Sequence, residues 1–315
     1  MSKQTPGTQS AIDRLLSTIN MHSHSFDDGT AHVEIHGNQV LNTTLVEGLK
    51  VESQETSSGV DVDILVEAGT IIEQPVYFCF GMLENGLQHI RMNVRFGTKA
   101  KAHFISHCSF SNATEVEHIM DANIHLEPGA EYRYFERHVH SMDSGIKVIP
   151  KANVQLEEHS RFATEFELIK GRVGLIDIDY EAECGPHSVL ELLSRISGRQ
   201  DDIIKIREAG NLSGEYSRGV LTSNIAVRNQ AQAVIYNELT ATAEGAVGHV
   251  DCNEIVQDEA QAKAIPIVDV RHPKAHVTHE AAIGSVDSKQ LQTLMSRGLS
   301  EDEAVEMIIQ GLLRK

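Results

Sequence analysis

Five side chains able to bind a transition metal stand out in this sequence: Cys252, His272, His276, His279 and Glu280. Four of them fall within the nine residues His272 to Glu280, a short strand-like run. Thiolate is a soft ligand that holds iron or zinc firmly, whereas imidazole and carboxylate are harder, proton-sensitive ligands. A mixed set of this density is unusual for a stretch with a purely structural role. The plainer reading is that the histidines are polar surface and the cysteine a small buried hydrophobe. A second pair, His22 and His24, sits among Ser and Asp with no third partner and reads as loop. Cys79, Cys108 and Cys184 are far apart and form no Cys-x-x-Cys pair, so they read as buried free thiols in a reducing compartment.

The elements that must position these residues are mostly strands. From Ala31 to about Gly284 the text runs in short alternations such as Val60–Val66, His89–Phe96 and Val173–Tyr180, whose period of two means strands. Turn-forming pieces separate them, and Gly69, Gly97, Gly129, Ser160 and Gly185 lie 28, 32, 31 and 25 residues apart. Such a loose repeat, with two or three strands in each unit, favours a stacked coil of strands, an all-β core in the form of a parallel β-helix. An antiparallel sandwich of eight to ten strands is the alternative.

Helices are expected only at the ends. Ala11 to Asn20, with Ser10 as N-cap, reads as a short amino-terminal helix. Asp287-Ser288-Lys289-Gln290 and Ser300-Glu301-Asp302-Glu303 have the form of capping boxes. They predict one helix from Ser288 to Arg297, stopped by Gly298, and another reaching Leu313. The apolar residues Leu291, Leu294, Leu299, Val305, Ile308, Ile309 and Leu312 give this tail a broad face suited to a partner or to packing on the core. Three regions follow: residues 1–29 as helix and loop, 30–285 as β-helix core, and 286–315 as helical tail.

The chain has 315 residues and a net charge of −18, from 45 acidic against 27 basic residues. That balance repels phosphate backbones and argues against a nucleic-acid partner. Apolar runs fall well short of the ~20 residues of a membrane span, and the first residues lack the basic, apolar, small-residue order of an export signal. The expectation is a soluble, cytoplasmic protein. No Gly-x-x-x-x-Gly-Lys-Ser/Thr loop is present, so ATP is not expected to be cleaved here.

Gly210–Glu215, Asp251-Cys252-Asn253, Ala275–Gly284 and Arg297–Ala304 together resemble the SufB and SufD scaffolds of iron-sulfur cluster assembly. The likeness is strong over the last third and confined to strand-and-turn texture before it. It implies a right-handed parallel β-helix, non-enzymatic, paired through its final strands with a second scaffold subunit. Here that would be a homodimer. It also implies that the helical tail holds a SufC-like ABC ATPase, and that a sulfur donor and apo iron-sulfur proteins are further partners. By resemblance, Cys252 accepts sulfur and ligates the iron-sulfur cluster, and His279 and Glu280 are further metal ligands. Thr278 replaces a glutamate of the bacterial pattern, and the amino-terminal cysteine motif of long SufB proteins is missing. Because His279 and Glu280 are adjacent, an ideal strand points them to opposite faces, so His272 and His276 are kept as reserve ligands. Two other readings stay open: a SufD-like structural subunit without a cluster, and a β-helix hydrolase with one metal at His272, His276 and His279.

Overall fold

The structure, a computed structural model, describes residues 29–110, 113–143 and 145–314. The expected helix at Ala11–Asn20 and the pair His22 and His24 lie outside the described residues. The core is a parallel β-helix built from nineteen strands, β1 (His32–His36) to β19 (His276–Gly284), followed by helices α1 (Ser288–Met295) and α2 (Glu301–Leu313). Each turn has two strands, and there are about eight turns. The ten-strand sheet takes the odd-numbered strands except the third, together with the second, and the nine-strand sheet takes the even-numbered strands except the second, together with the third. The two sheets face each other across a filled lumen. At the amino end, β1 pairs antiparallel with β2 (Gln39–Thr44), and β3 (Leu49–Glu55) with β4 (Gly59–Val66), so the solenoid begins in two hairpin-like pairs.

Alternation along each strand places apolar side chains in the lumen. In β10 (Ile146–Leu156) residues 146, 148, 150, 152, 154 and 156 are buried while their neighbours face outward. The same parity recurs in β6 (Gly86–Phe96), whose Ile90, Met92, Val94 and Phe96 point inward. One continuous core results, with rings such as Phe78, Phe104, Tyr132 and Phe162 packed at centroid separations of 5.1–5.5 Å.

The ladder register gives the true repeat. Lys101, Glu131, Arg161, Val189, Arg218, Val247 and His276 are successive register partners, spaced 30, 30, 28, 29, 29 and 29 residues apart. At one corner the chain turns through a left-handed residue on each turn: Gly69, Lys99, Gly129, His159, His187, Tyr216 and Gly245, with φ between 56° and 74°. Residues with side chains are strained there. Stacking on the turn above offsets part of that strain. The His159 and His187 rings lie 4.6 Å apart at 13°, and those of His187 and Tyr216 lie 5.3 Å apart at 10°. Gly245 leaves room for the Tyr216 ring, which a Cβ there would approach to 2.4 Å. Beside this column Ser160, Ser188 and Ser217 each donate to the carbonyl three residues earlier, at 2.7, 2.8 and 2.7 Å.

Both tail helices begin as the sequence predicts. Asp287 accepts from the Gln290 amide at 2.7 Å, and Ser300 and Glu303 form a reciprocal capping box. The first helix ends slightly early, at Met295, and Gly298 takes φ 98°. Helix α2 packs Ile309 and Leu313 against Ala226 of β15 (Arg218–Val227), and Glu306 bonds to Arg228 at 2.6 Å. No helix among the described residues is long and apolar enough to cross a membrane.

Corner packing is tight enough to test. A Cβ on Gly214 would lie 2.0 Å from the Gly185 carbonyl carbon and 2.1 Å from the Pro186 nitrogen, backbone atoms that cannot move aside. Gly214→Ala is therefore expected to lower stability by about 3 kcal/mol or more. Gly311→Ala, in a helix with open space around it, is expected to raise it by about 0.5–1 kcal/mol. Urea unfolding of both variants and the parent measures the contrast.

Candidate functional site

Cys252 lies on β17 (Val247–Val256), where Gly248, Val250, Cys252 and Glu254 point into the lumen. Its side chain is fully buried. Asn237 of β16 (Gln232–Ala241) donates from Nδ2 to the sulfur at 3.7 Å, and Ser223 is its register partner on the turn before. Burial pushes the thiol up to about 11, with Glu254 adding to the effect. Glu254 is itself buried and pushed up to about 7, chiefly by desolvation, while Ser223 donates to it at 3.3 Å. In the single chain Cys252 is thus a neutral thiol, and becomes a thiolate only if a cation replaces its proton.

The next turn is the last. β19 pairs with β17 so that Val250 meets His279, Asp251 meets Glu280, and Cys252 meets Ala281. Partners in a parallel ladder point to the same side, so His279 shares the lumen side with Cys252, whereas Glu280 shares the outer side with Asp251. His276 and Thr278 are on that outer side too, and Thr278 bonds His249 at 2.8 Å. His272 lies in the loop before β19, where its Nδ1 accepts from the Lys274 amide at 3.2 Å. Among the described residues, no group of three metal-binding atoms within 4.8 Å includes Cys252, His272, His276, His279 or Glu280. Their arrangement is one thiol beneath a one-methyl cover, Ala281, with His279 at the rim. All residues of β19 except Val277 are exposed, because no further turn covers them.

Cys252 ends a polar seam that the sequence reading missed. Ser106, Glu136, Phe166, Ser194, Ser223 and Cys252 occupy one lumen column on successive turns. Tyr180, Glu208 and Asn237 form the matching column of the other sheet. Glu208 accepts from Ser194 at 2.7 Å and is pushed up to about 7 by burial. Further along, Cys108, Glu136 and His138 bring their ligand atoms within 4.8 Å of one another, all buried. The signal for this seam is the repeat itself. With its length set at 30, Ser106 falls over Glu136 and Cys108 over His138.

A filled parallel β-helix, with buried thiols, acids and amides along one seam and an uncovered last turn, defines the class of protein. Residues 79–312 match the family model for the SUF system FeS cluster assembly SufBD core domain. An iron-sulfur cluster assembly SufBD family protein of Methanocaldococcus jannaschii is 35% identical over 268 residues, 85% of either chain. One from Pyrococcus horikoshii is 33% identical over 289 residues, 91% of this chain and 88% of its own. Similarity to the SufB of Bacillus subtilis is shorter, 38% over 72 residues, or 22% of this chain and 16% of that one. The chain belongs to the SufBD family of iron-sulfur cluster assembly proteins.

Glu208 provides a pH signature of the seam. Its carboxyl titrates at about 7 when folded and at an ordinary carboxylate value near 4.5 when unfolded. The folded state therefore holds the proton more tightly. Its contribution is complete below pH 4.5 and falls away as pH rises through about 7, by up to roughly 3 kcal/mol. Glu208→Gln keeps the shape of the protonated side chain and is expected to gain on the parent at about pH 8 by far more than at about pH 4.5. Denaturant midpoints at the two pH values check the sign.

Proposed function

We propose that this chain is a non-enzymatic scaffold subunit on which an iron-sulfur cluster is assembled and from which it is passed to apo iron-sulfur proteins. The observation that carries the reading is the position of Cys252, one turn beneath an uncovered solenoid end with His279 on the same side. A β-helix needs a cap at each end, and β18 (Gln261–Val270) and β19 each pair with only one strand. A second copy of the chain, related by a two-fold axis, supplies that cap by edge pairing and brings two copies of Cys252 and His279 together. Glu280 faces the other way in its own chain, so it serves as a ligand where the two copies' edges meet, with His276 and His272 in reserve. In this setting the Cys252 sulfur takes the outer sulfur of a donor persulfide, the donor leaving as its thiol; a two-electron reductant then releases that sulfur as sulfide, and iron takes the place of the restored thiol proton. His279 and Glu280 supply weaker ligands that let the finished cluster leave.

The helical region 286–315 is, on the same reading, the seat of a SufC-like ABC ATPase in the cytoplasm. A groove of about 770 Å³ runs between α1 and α2, lined by Leu294, Met307, Ile308 and Leu312, with Ile255 at its base. Val305 and Ile309 pack toward the solenoid and hold α2 in place, while Leu291 and Leu299 stay half-buried beside the groove.

After anaerobic co-expression with the ATPase, iron and acid-labile sulfide are expected on the parent and absent from Cys252→Ala, with His279→Ala reduced. Equal amounts in all three, or none in the parent, leave the structural-subunit reading in its place. Iron without sulfide would point to the single-metal hydrolase. Ile308→Asp is expected to weaken ATPase binding at least about tenfold, or 1.4 kcal/mol, while unfolding as the parent does. Titration of the purified ATPase onto both proteins measures it.

A further inference from the structure

We propose that the lumen holds a second metal site, for a divalent transition ion of the zinc or ferrous class, formed by Cys108, Glu136 and His138. It lies on β7 (Lys101–Phe110) and β9 (Glu131–His140), five and four rungs of the ladder from Cys252, or about 24 and 19 Å at the usual strand spacing. Cys108 and His138 are register partners, and Glu136 is the next inward residue on the same strand. The Cys108 sulfur is 3.8 Å from Glu136 Oε1, and His138 Nε2 is 2.6 Å from that same oxygen. A tetrahedral zinc site, with bonds of about 2.0–2.3 Å, needs ligand atoms about 3–4 Å apart. All three atoms lie within 4.8 Å of one another, so small side-chain shifts bring them to that spacing.

The tautomers are set for a ligand role. His140 Nδ1 lies 2.7 Å from the Arg172 carbonyl, which can only accept, so this nitrogen carries the proton. His140 Nε2 is then an acceptor and takes the Nδ1 proton of His138 at 3.3 Å. That leaves Nε2 of His138 aimed at a carboxylate oxygen. Two bare lone pairs at that distance repel unless a proton or a cation sits between them. Backing one ring nitrogen with a donor chain to a carbonyl is how proteins orient a metal-binding imidazole.

A further observation points to an ion. His118 of β8 (Val116–Leu126) is fully buried, its ring centre 5.9 Å from that of His138, and neither of its nitrogens has a hydrogen-bond partner among the described residues. An orphaned imidazole of this kind is costly; it stands outside the 4.8 Å cluster and would serve as a fourth ligand by closing on it. The surroundings are otherwise apolar, with Phe110 5.0 Å from His118 and Phe166 4.9 Å from His138. Burial holds Cys108 well above the ordinary thiol value, and a bound ion reverses that by displacing the proton. A thiolate, a carboxylate and a divalent cation sum to zero charge, the arrangement least penalised in such a medium.

The test uses the full chain carrying Cys252→Ser, which removes the thiol of the mouth. Expressed with zinc, it is expected to retain about one zinc per chain through chelator dialysis, and X-ray absorption is expected to show one sulfur among nitrogen and oxygen ligands. Adding Cys108→Ser or His138→Gln is expected to lower the zinc at least about tenfold in protein that keeps its β circular dichroism. Folded protein without zinc, a shell with no sulfur, or zinc unchanged by both substitutions would overturn the site. Because the readout is zinc on a chain lacking Cys252, failure here leaves the scaffold reading standing, and failure of that reading leaves this site standing.

Discussion

Everything in this molecule depends on the register of two parallel ladders. Each turn adds one strand to each sheet, and the inward residue of one turn is fixed over the inward residue of the last. A shift of one residue would turn a whole strand's apolar set to solvent, so the lumen enforces the register. The corners enforce it again. At the second corner Gln200, Asn229 and Asp258 all take φ near 60°, and each passes a hydrogen bond to the next: the Gln200 amide to Asn229 Oδ1 at 3.1 Å, and the Asn229 amide to Asp258 Oδ2 at 2.9 Å. The Arg172 guanidinium and three backbone amides converge on buried Asp202 and tie two turns together.

The same register lines up the few polar residues of the lumen. A buried acid is expensive wherever it falls, and Glu208 and Glu254 respond by holding their protons to about pH 7. Cys252 responds likewise, and its thiol stays protonated in the single chain. The outward faces show the opposite economy. Arg161 meets Glu191 at 2.6 Å and Arg207 meets Asp179 at 2.8 Å, each pair one turn apart and open to water. Pairs of that kind add little stability but keep like charges from stacking on neighbouring turns. Polar groups in the lumen therefore stand out as a chemical feature, while those outside are the ordinary finish of a solenoid.

Strand content, the β-helix and both capped tail helices were legible in the sequence, because period-two alternation and capping boxes are local signals. The repeat length was not. The left-handed corner position is Gly at 69, 129 and 245 but Lys, His or Tyr elsewhere, so counting from small residues compared unequal places and spread the spacing from 25 to 32. Resemblance set Cys252 apart from Cys79, Cys108 and Cys184, since all four are buried free thiols. That His279 and Glu280 part to opposite faces followed from strand geometry, but which of them joins Cys252 needed the register. Cys108, Glu136 and His138 escaped notice because their proximity spans one full turn, and without the repeat they are three unrelated letters.

The two ends of the solenoid are finished differently, and the difference has a physical consequence. At the amino end the nine-strand sheet closes on antiparallel β3, whose exposed residues include Lys50, Glu52, Ser53, Gln54 and Glu55, a polar edge that discourages further pairing. At the other end β19 is regular, without bulge, lysine or proline, and its last residues are Ala281, Ala282, Ile283 and Gly284. Such an edge is a ready template for another strand. The lumen residues behind it, Ala262, Ala264, Val268 and Val277, are only partly buried although they pack on the core. An end that offers unpaired backbone and half-buried apolar side chains is stable in water only at some expense, and covering it recovers both terms at once. Cys252 lies one turn below, so whatever covers this end also decides what reaches the thiol.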